Sequence, residues 1–267
     1  MVEFQKAISL IRTQGSQVDQ IRLACALGEA YDKSIVERLI DDLQLPEGGF
    51  PFLRKQGNPY SLNVTCAVMA NMTELGLNDT PACRKLVDFL ARIQCPEGCF
   101  DENPELEAFS PPFWDRPGDL KTQLWLTGAL ADNLTRLRYG ESSTVARAAD
   151  FLLSHRNEDG SFQGFRHTTW LATAVLGPRL RIGDKIIRDA IKVIGGFHDL
   201  DGTDLTWVLD CLFHAGIPRD HQVVANLLER LEALQRPNGS WLSTDHPEDL
   251  VCQTLGTLIV LRLYRRF

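Results

Sequence analysis

Gln235-Arg-Pro-Asn-Gly-Ser-Trp241 combines three features in one short stretch: a helix ends, the chain reverses on a glycine, and an aromatic plugs the turn. The frame Gln-x-x-x-Gly-x-(Phe/Trp) recurs as Gln44-Leu-Pro-Glu-Gly-Gly-Phe50, as Gln94-Cys-Pro-Glu-Gly-Cys-Phe100 and, with Arg in place of Gln, as Arg156-Asn-Glu-Asp-Gly-Ser-Phe162. A weaker fifth copy is His198-Asp-Leu-Asp-Gly-Thr-Asp204. The residue before the glycine is always acidic or Asn: Glu47, Glu97, Asp159, Asp201 and Asn238. Glycine takes backbone angles that a Cβ disfavours, Asp or Asn hydrogen-bonds its own turn, and the aromatic fills the wedge between neighbouring units. A repeat of this regularity fixes the architecture before any single element does.

Helical periodicity fills the intervals between the turns. Residues 3–13 and the stretch to about Ala30 form a first hairpin, followed by the pairs 34–43 with 60–75, 82–93 with 119–137, 145–155 with 167–176, 184–194 with 204–215, and 221–234 with 248–263. In each later pair the first helix is amphipathic and the second apolar on several faces, so the first reads as outer and the second as buried. No run alternates with period two. The chain is therefore expected to be all-α: six helical hairpins, about twelve helices, closed into inner and outer rings. Residues 1–267 are read as a single domain, an α/α toroid with a Pro-rich loop insertion at about 101–118.

Bulk properties narrow the function. A net charge of −7 with no Lys/Arg run argues against a nucleic-acid partner. Seven cysteines without a regular framework suit a reducing compartment. The start shows no basic region followed by an apolar run, and Leu250 to Tyr264 is too short and too interrupted to span a membrane. The expected location is the cytoplasm.

The phrases FLxxxQxxxGxF over Phe89–Phe100 and LxxLQRPNGSW over Leu228–Trp241 resemble the Gln–Trp (QW) repeats of squalene and terpene cyclases and their protein prenyltransferase relatives. The resemblance runs over about residues 34–263. It implies an α/α toroid and an isoprenoid small-molecule substrate. Class II cyclases of this kind begin with a protonated Asp in an Asp-x-Asp-Asp motif, which makes Asp201 of Asp199-Leu-Asp201-Gly-Thr203 the first candidate acid, followed by Asp119 and Asp204. Gly202 stands where the last Asp of that motif belongs. Registered instead from the Gly48-Gly49-Phe50 turn, the motif falls on Ser61-Leu-Asn63-Val-Thr65, which has no carboxylate.

Each repeat turn leads into the amino end of a buried helix, and such ends attract anions. Arg116, Lys121, Arg166 and His167 in these linkers are therefore candidates for holding a diphosphate, with Trp114, Trp170, Trp207 and Tyr60 as aromatic walls that would stabilise a carbocation. The prenyltransferase zinc set is absent at Asp119-Leu-Lys121, Asp204-Leu-Thr206 and Asp249-Leu-Val251, so no metal site is expected, and a Mg2+ ion would enter only with a diphosphate substrate. Two functional classes follow: a protonation-initiated terpene cyclase in terpenoid biosynthesis, or a toroid without chemistry that binds a prenyl lipid or a protein. A zinc-independent prenyltransferase-like activity and a second subunit completing the site both stay open.

Overall fold

In a computed structural model that describes residues 2–243 and 249–267, twelve α-helices carry the chain: α1 Phe4–Gln14, α2 Gln17–Leu27, α3 Ser34–Leu43, α4 Leu62–Glu74, α5 Pro81–Ile93, α6 Leu120–Leu134, α7 Ser143–Ser154, α8 Arg166–Leu180, α9 Lys185–Gly195, α10 Gly202–His214, α11 Gln222–Ala233 and α12 Leu250–Leu263. Among the described residues there is no strand, only the isolated bridges Pro51–Tyr60 and Arg156–Phe162. The expected start of the last helix at Glu248 lies outside the described residues. Contacts cluster into two compact units, residues 33–175 and residues 1–32 with 176–267.

The expected outer and inner characters are visible in burial. On α9 only Ile187, Ala190, Ile191 and Ile194 are buried, a single stripe at helical spacing. On α6 every residue from Leu124 to Leu134 is buried, Asp132 and Asn133 included. The helix α8 runs past the predicted end at Leu176 and continues through Pro178. Gly177 permits its close packing, since a Cβ there would lie 2.5 Å from the carbonyl oxygen of Ala215.

The repeat works as a clamp. In the unit of residues 33–175, Gln44 Nε2 donates to Gly48 O (2.9 Å) within its own turn and to Ala82 O (3.0 Å) at the start of α5. Gln94 Nε2 does the same with Gly98 O (2.8 Å) and Thr144 O (2.9 Å) at the start of α7. The glycine lets the next outer helix press against the turn: Gly98 has φ +97°, and a Cβ on it would sit 2.3 Å from Arg147 O. The aromatic's backbone N–H is taken by a buried threonine of the inner helix, Phe50 by Thr65 (3.4 Å), Phe100 by Thr127 (2.9 Å) and Phe162 by Thr169 (3.2 Å).

The other unit contains the last turn, and its successor helix is the first of the chain. Gln235 Nε2 donates to Gly239 O (2.9 Å) and Glu3 O (3.4 Å), while Glu3 N–H donates to Gln235 Oε1 (2.7 Å). Trp241 N–H meets Thr254 (3.3 Å), as in the other copies. The rings of Phe4 and Phe267 stack at 4.3 Å, so both chain ends are fastened together.

The fifth copy is different. Gly202 is the first residue of α10 and Asp201 is its N-cap, accepting from Asp204 N–H (2.9 Å) in a reciprocal capping box. The Asp-Gly pair that reads as a turn in the sequence is here a helix start, because an acidic residue serves both purposes equally well.

Candidate functional site

The amino end of α4 is built around two buried carboxylates. Phe100 ends the second turn, and the chain then enters the 101–118 segment, which holds the 3-10 turns Pro104–Phe109 and Phe113–Asp115. Glu102 is only 2% exposed and accepts hydrogen bonds from Ser61 Oγ (2.9 Å), Leu62 N–H (2.8 Å) and Asn63 N–H (2.9 Å). Asp115, 3% exposed, accepts Asn63 Nδ2 on both oxygens at 3.0 and 2.9 Å. Asn63 thus joins both acids, taking its backbone to one and its side chain to the other.

Burial disfavours the charged form of each carboxyl. Glu102 is pushed up to about 7 by desolvation, with Asp115 adding to the rise, against the pull of the two α4 N–H groups and the Ser61 hydroxyl. Asp115 is also raised by burial, and the Asn63 amide opposes the rise. No cation is paired with either acid in these bonds; the donors are neutral amides and a hydroxyl.

A pH prediction follows. The value of Glu102 in the folded chain lies above its ordinary 4.5, so its stabilising contribution is complete below about pH 4.5 and is lost as pH rises through about 7. In urea unfolding the wild type is expected to lose roughly 3 kcal/mol against Glu102→Gln across that window. A difference between the two proteins that stays constant with pH would show that Glu102 titrates as it does in the unfolded chain.

The same segment anchors an aromatic cluster at the start of α6 and α8. Trp114 O accepts Trp125 Nε1–H (2.7 Å) and Thr122 Oγ1–H (3.1 Å). Phe113 packs edge-on to Trp114 (4.9 Å) and tilts against Phe165 (5.9 Å), which stacks on His167 (5.1 Å). Trp125 and Trp170 lie 6.0 and 6.1 Å from the His167 ring, and Lys121 Nζ stands 5.9 Å over Phe165. Burial and the neighbouring Arg166 lower His167 to about 4, so at neutral pH it is an uncharged imidazole rather than a cationic anchor.

The structure thereby brings Trp114, Lys121, His167 and Trp170 together, with Arg166 next to His167; Arg116 is exposed on the Pro-rich segment. Tyr60 lies edge-on to Phe89 at 5.1 Å. Asp119 is an exposed N-cap of α6, accepting Lys121 N–H at 2.7 Å and Thr122 N–H at 3.3 Å. Asp201 caps α10, which bears Asp204 and Trp207, in the other unit. Sequence reading missed Glu102 and Asp115. Asn63 carried the available signal, being a polar residue in the first turn of a helix that must be buried.

No family model matches the chain, and no curated protein does. Solved structures do. The type II terpene cyclase MstE from Scytonema aligns over 91% of this chain and 86% of its own, with TM-score 0.62 and 17% identity. A variant of MstE in complex with its substrate, geranylgeranyl dihydroxybenzoate, aligns with TM-score 0.64 over 92% and 86% at 17% identity. Candida albicans protein geranylgeranyltransferase-I complexed with GGPP aligns with TM-score 0.59 over 93% of this chain and 83% of its own, at 13% identity. The likeness establishes the fold: an all-α, α/α toroid of the kind shared by terpene cyclases and protein prenyltransferases. Among the described residues no helix is long and apolar enough to cross a membrane.

Proposed function

We propose that this chain is a single-domain enzyme of terpenoid biosynthesis, acting in the cytoplasm, that cyclises an isoprenoid by protonating an alkene. One observation carries the reading: Glu102 and Asp115 are buried at the amino end of α4, and burial pushes both towards the neutral acid. Protonation of an alkene needs a carboxylic acid that is neutral at the working pH and aimed by hydrogen bonds. Glu102 and Asp115 meet that requirement better than the acids nominated from the sequence. Asp119 is an exposed N-cap of α6, and Asp201 and Asp204 are part-buried members of the α10 capping box, so none of the three is withdrawn from water as Glu102 and Asp115 are.

The remaining groups divide by chemistry. Arg116, Lys121 and Arg166 suit an anionic head, while Trp114, Trp170, Tyr60 and neutral His167 offer aromatic faces to a cation. The two neighbours' ligands, geranylgeranyl dihydroxybenzoate and GGPP, point to a geranylgeranyl chain with an anionic or polar head as the first substrate class to try. A toroid that binds a prenyl lipid without reacting is the second reading, favoured by Ser61-Leu-Asn63-Val-Thr65, which lacks a carboxylate on α4 itself.

The test is incubation with farnesyl diphosphate, geranylgeranyl diphosphate and geranylgeranyl dihydroxybenzoate, with and without Mg2+, followed by mass spectrometry of the products. Cyclised isomers of unchanged mass are expected. Glu102→Gln and Asp115→Asn are each expected to slow turnover by about 10²–10⁴-fold, the range for loss of a general acid, while Asp201→Asn and Asp119→Asn turn over as the wild type does. Binding of these compounds without any product would select the second reading.

A further inference from the structure

The second turn differs from its siblings in the pair of residues that closes it. Cys95 N–H donates to Cys99 O (2.9 Å), and Gly98 N–H donates to Cys95 O (2.9 Å). Leu45 and Gly49, Asn157 and Ser161, and Arg236 and Ser240 are joined by the same backbone bond at 3.0, 2.8 and 2.9 Å. A backbone bond that closes so short a turn holds the two residues side by side, and a disulfide requires their Cα atoms about 4.4–6.8 Å apart. Side chains at these two positions reach each other across a sibling turn, where Asn157 Nδ2 donates to Ser161 Oγ at 2.9 Å. Only the second turn puts sulfur at both positions.

Access and rigidity complete the arrangement. Cys95 is half-exposed, whereas Cys99 is 5% exposed. The backbone around the pair is held by the Gln94 clamp and by Gly98 packed against Arg147, so the two residues keep their places across the turn.

We propose that Cys95 and Cys99 form a dithiol–disulfide site, oxidised by a peroxide that reaches Cys95 and closed by attack of Cys99. In the first step the Cys95 sulfur takes one oxygen from hydrogen peroxide, becoming a sulfenic acid and releasing water. In the second the Cys99 sulfur bonds to the Cys95 sulfur and displaces hydroxide, which leaves as water with the Cys99 proton. The two thiols lose two electrons, and the peroxide becomes two waters. Cys99 is 5% exposed and burial pushes its thiol up to about 12, so the first encounter with peroxide falls to the more accessible Cys95 and Cys99 acts second, on the sulfur beside it. The closed disulfide would lock the turn that feeds directly into the segment bearing Glu102.

The experiment treats the full chain with hydrogen peroxide under native conditions, blocks remaining thiols with N-ethylmaleimide, and maps the peptides by mass spectrometry. The expected result is a peptide spanning Cys95 and Cys99 that is lighter by two hydrogens, is not alkylated, and regains alkylation after reduction. Cys99→Ser, a residue already accepted at Ser161 and Ser240, is expected to leave Cys95 as a sulfenic acid trapped by dimedone. The proposal is overturned if both thiols remain fully alkylated under treatment that oxidises exposed Cys252, or if either sulfur pairs with a different cysteine.

Discussion

Gly98→Ala is expected to lower stability by about 3–5 kcal/mol in urea unfolding, whereas Gly76→Ala lowers it by about 1–2 kcal/mol. Both glycines hold a positive φ, +97° and +64°, so both variants carry the strain of a Cβ in the left-handed region. The surroundings differ. The new Cβ at Gly98 meets Arg147 O at 2.3 Å and its carbonyl carbon at 2.8 Å, both backbone atoms that cannot swing away, while nothing lies within 4 Å at Gly76. The excess at Gly98 therefore measures how tightly α7 presses on the turn. Equal losses in the two variants would mean that the glycine serves backbone angle alone and that the clamp has slack.

The second large effect is expected at Trp241. Its side chain is 0% exposed, its indole N–H donates to Leu231 O (2.7 Å), and its backbone N–H to Thr254 (3.3 Å). Trp241→Ala is expected to cost about 3–5 kcal/mol, through the cavity left and the loss of the indole hydrogen bond. Trp241→Phe keeps most of the volume and loses only the indole bond, so its loss should be about 1–2 kcal/mol. Thermal melts of the two variants give the comparison. If they melt together, the indole hydrogen bond rather than the ring's volume holds the last turn.

These two residues were legible because their roles are local. A glycine, a preceding Asp, Glu or Asn and a following aromatic report one turn whatever surrounds it, and four of the five copies form it. The fifth was misread because Asp201-Gly202 fits a turn and a helix start equally well, and the chain chose the second. The Gln clamp was visible as a repeated letter, but its partners Ala82, Thr144 and Glu3 were not, since nothing marks an acceptor carbonyl in a sequence. Thr65, Thr127, Thr169 and Thr254 escaped notice because they follow their aromatics by unequal intervals, set by linkers of different length. Glu102 and Asp115 were hidden for a related reason. In a linker rich in acids, they differ from Asp101, Glu105 and Glu107 only in being buried, and that burial is decided by Asn63 and the α4 amino end, far away in the chain.

The bond between Glu3 and Gln235 also sets an order of events during synthesis. The two residues are 232 positions apart, so at about 5–20 residues per second α1 leaves the ribosome roughly 10–50 s before the turn that receives it exists. Through that interval Ala7, Ile8, Leu10 and Ile11, all buried in the finished protein, lack α12 and the last turn as cover. The nascent chain therefore carries α1 as an adhesive helix until α12 emerges, and a ribosome that stalls between the two releases a product with that helix still uncovered.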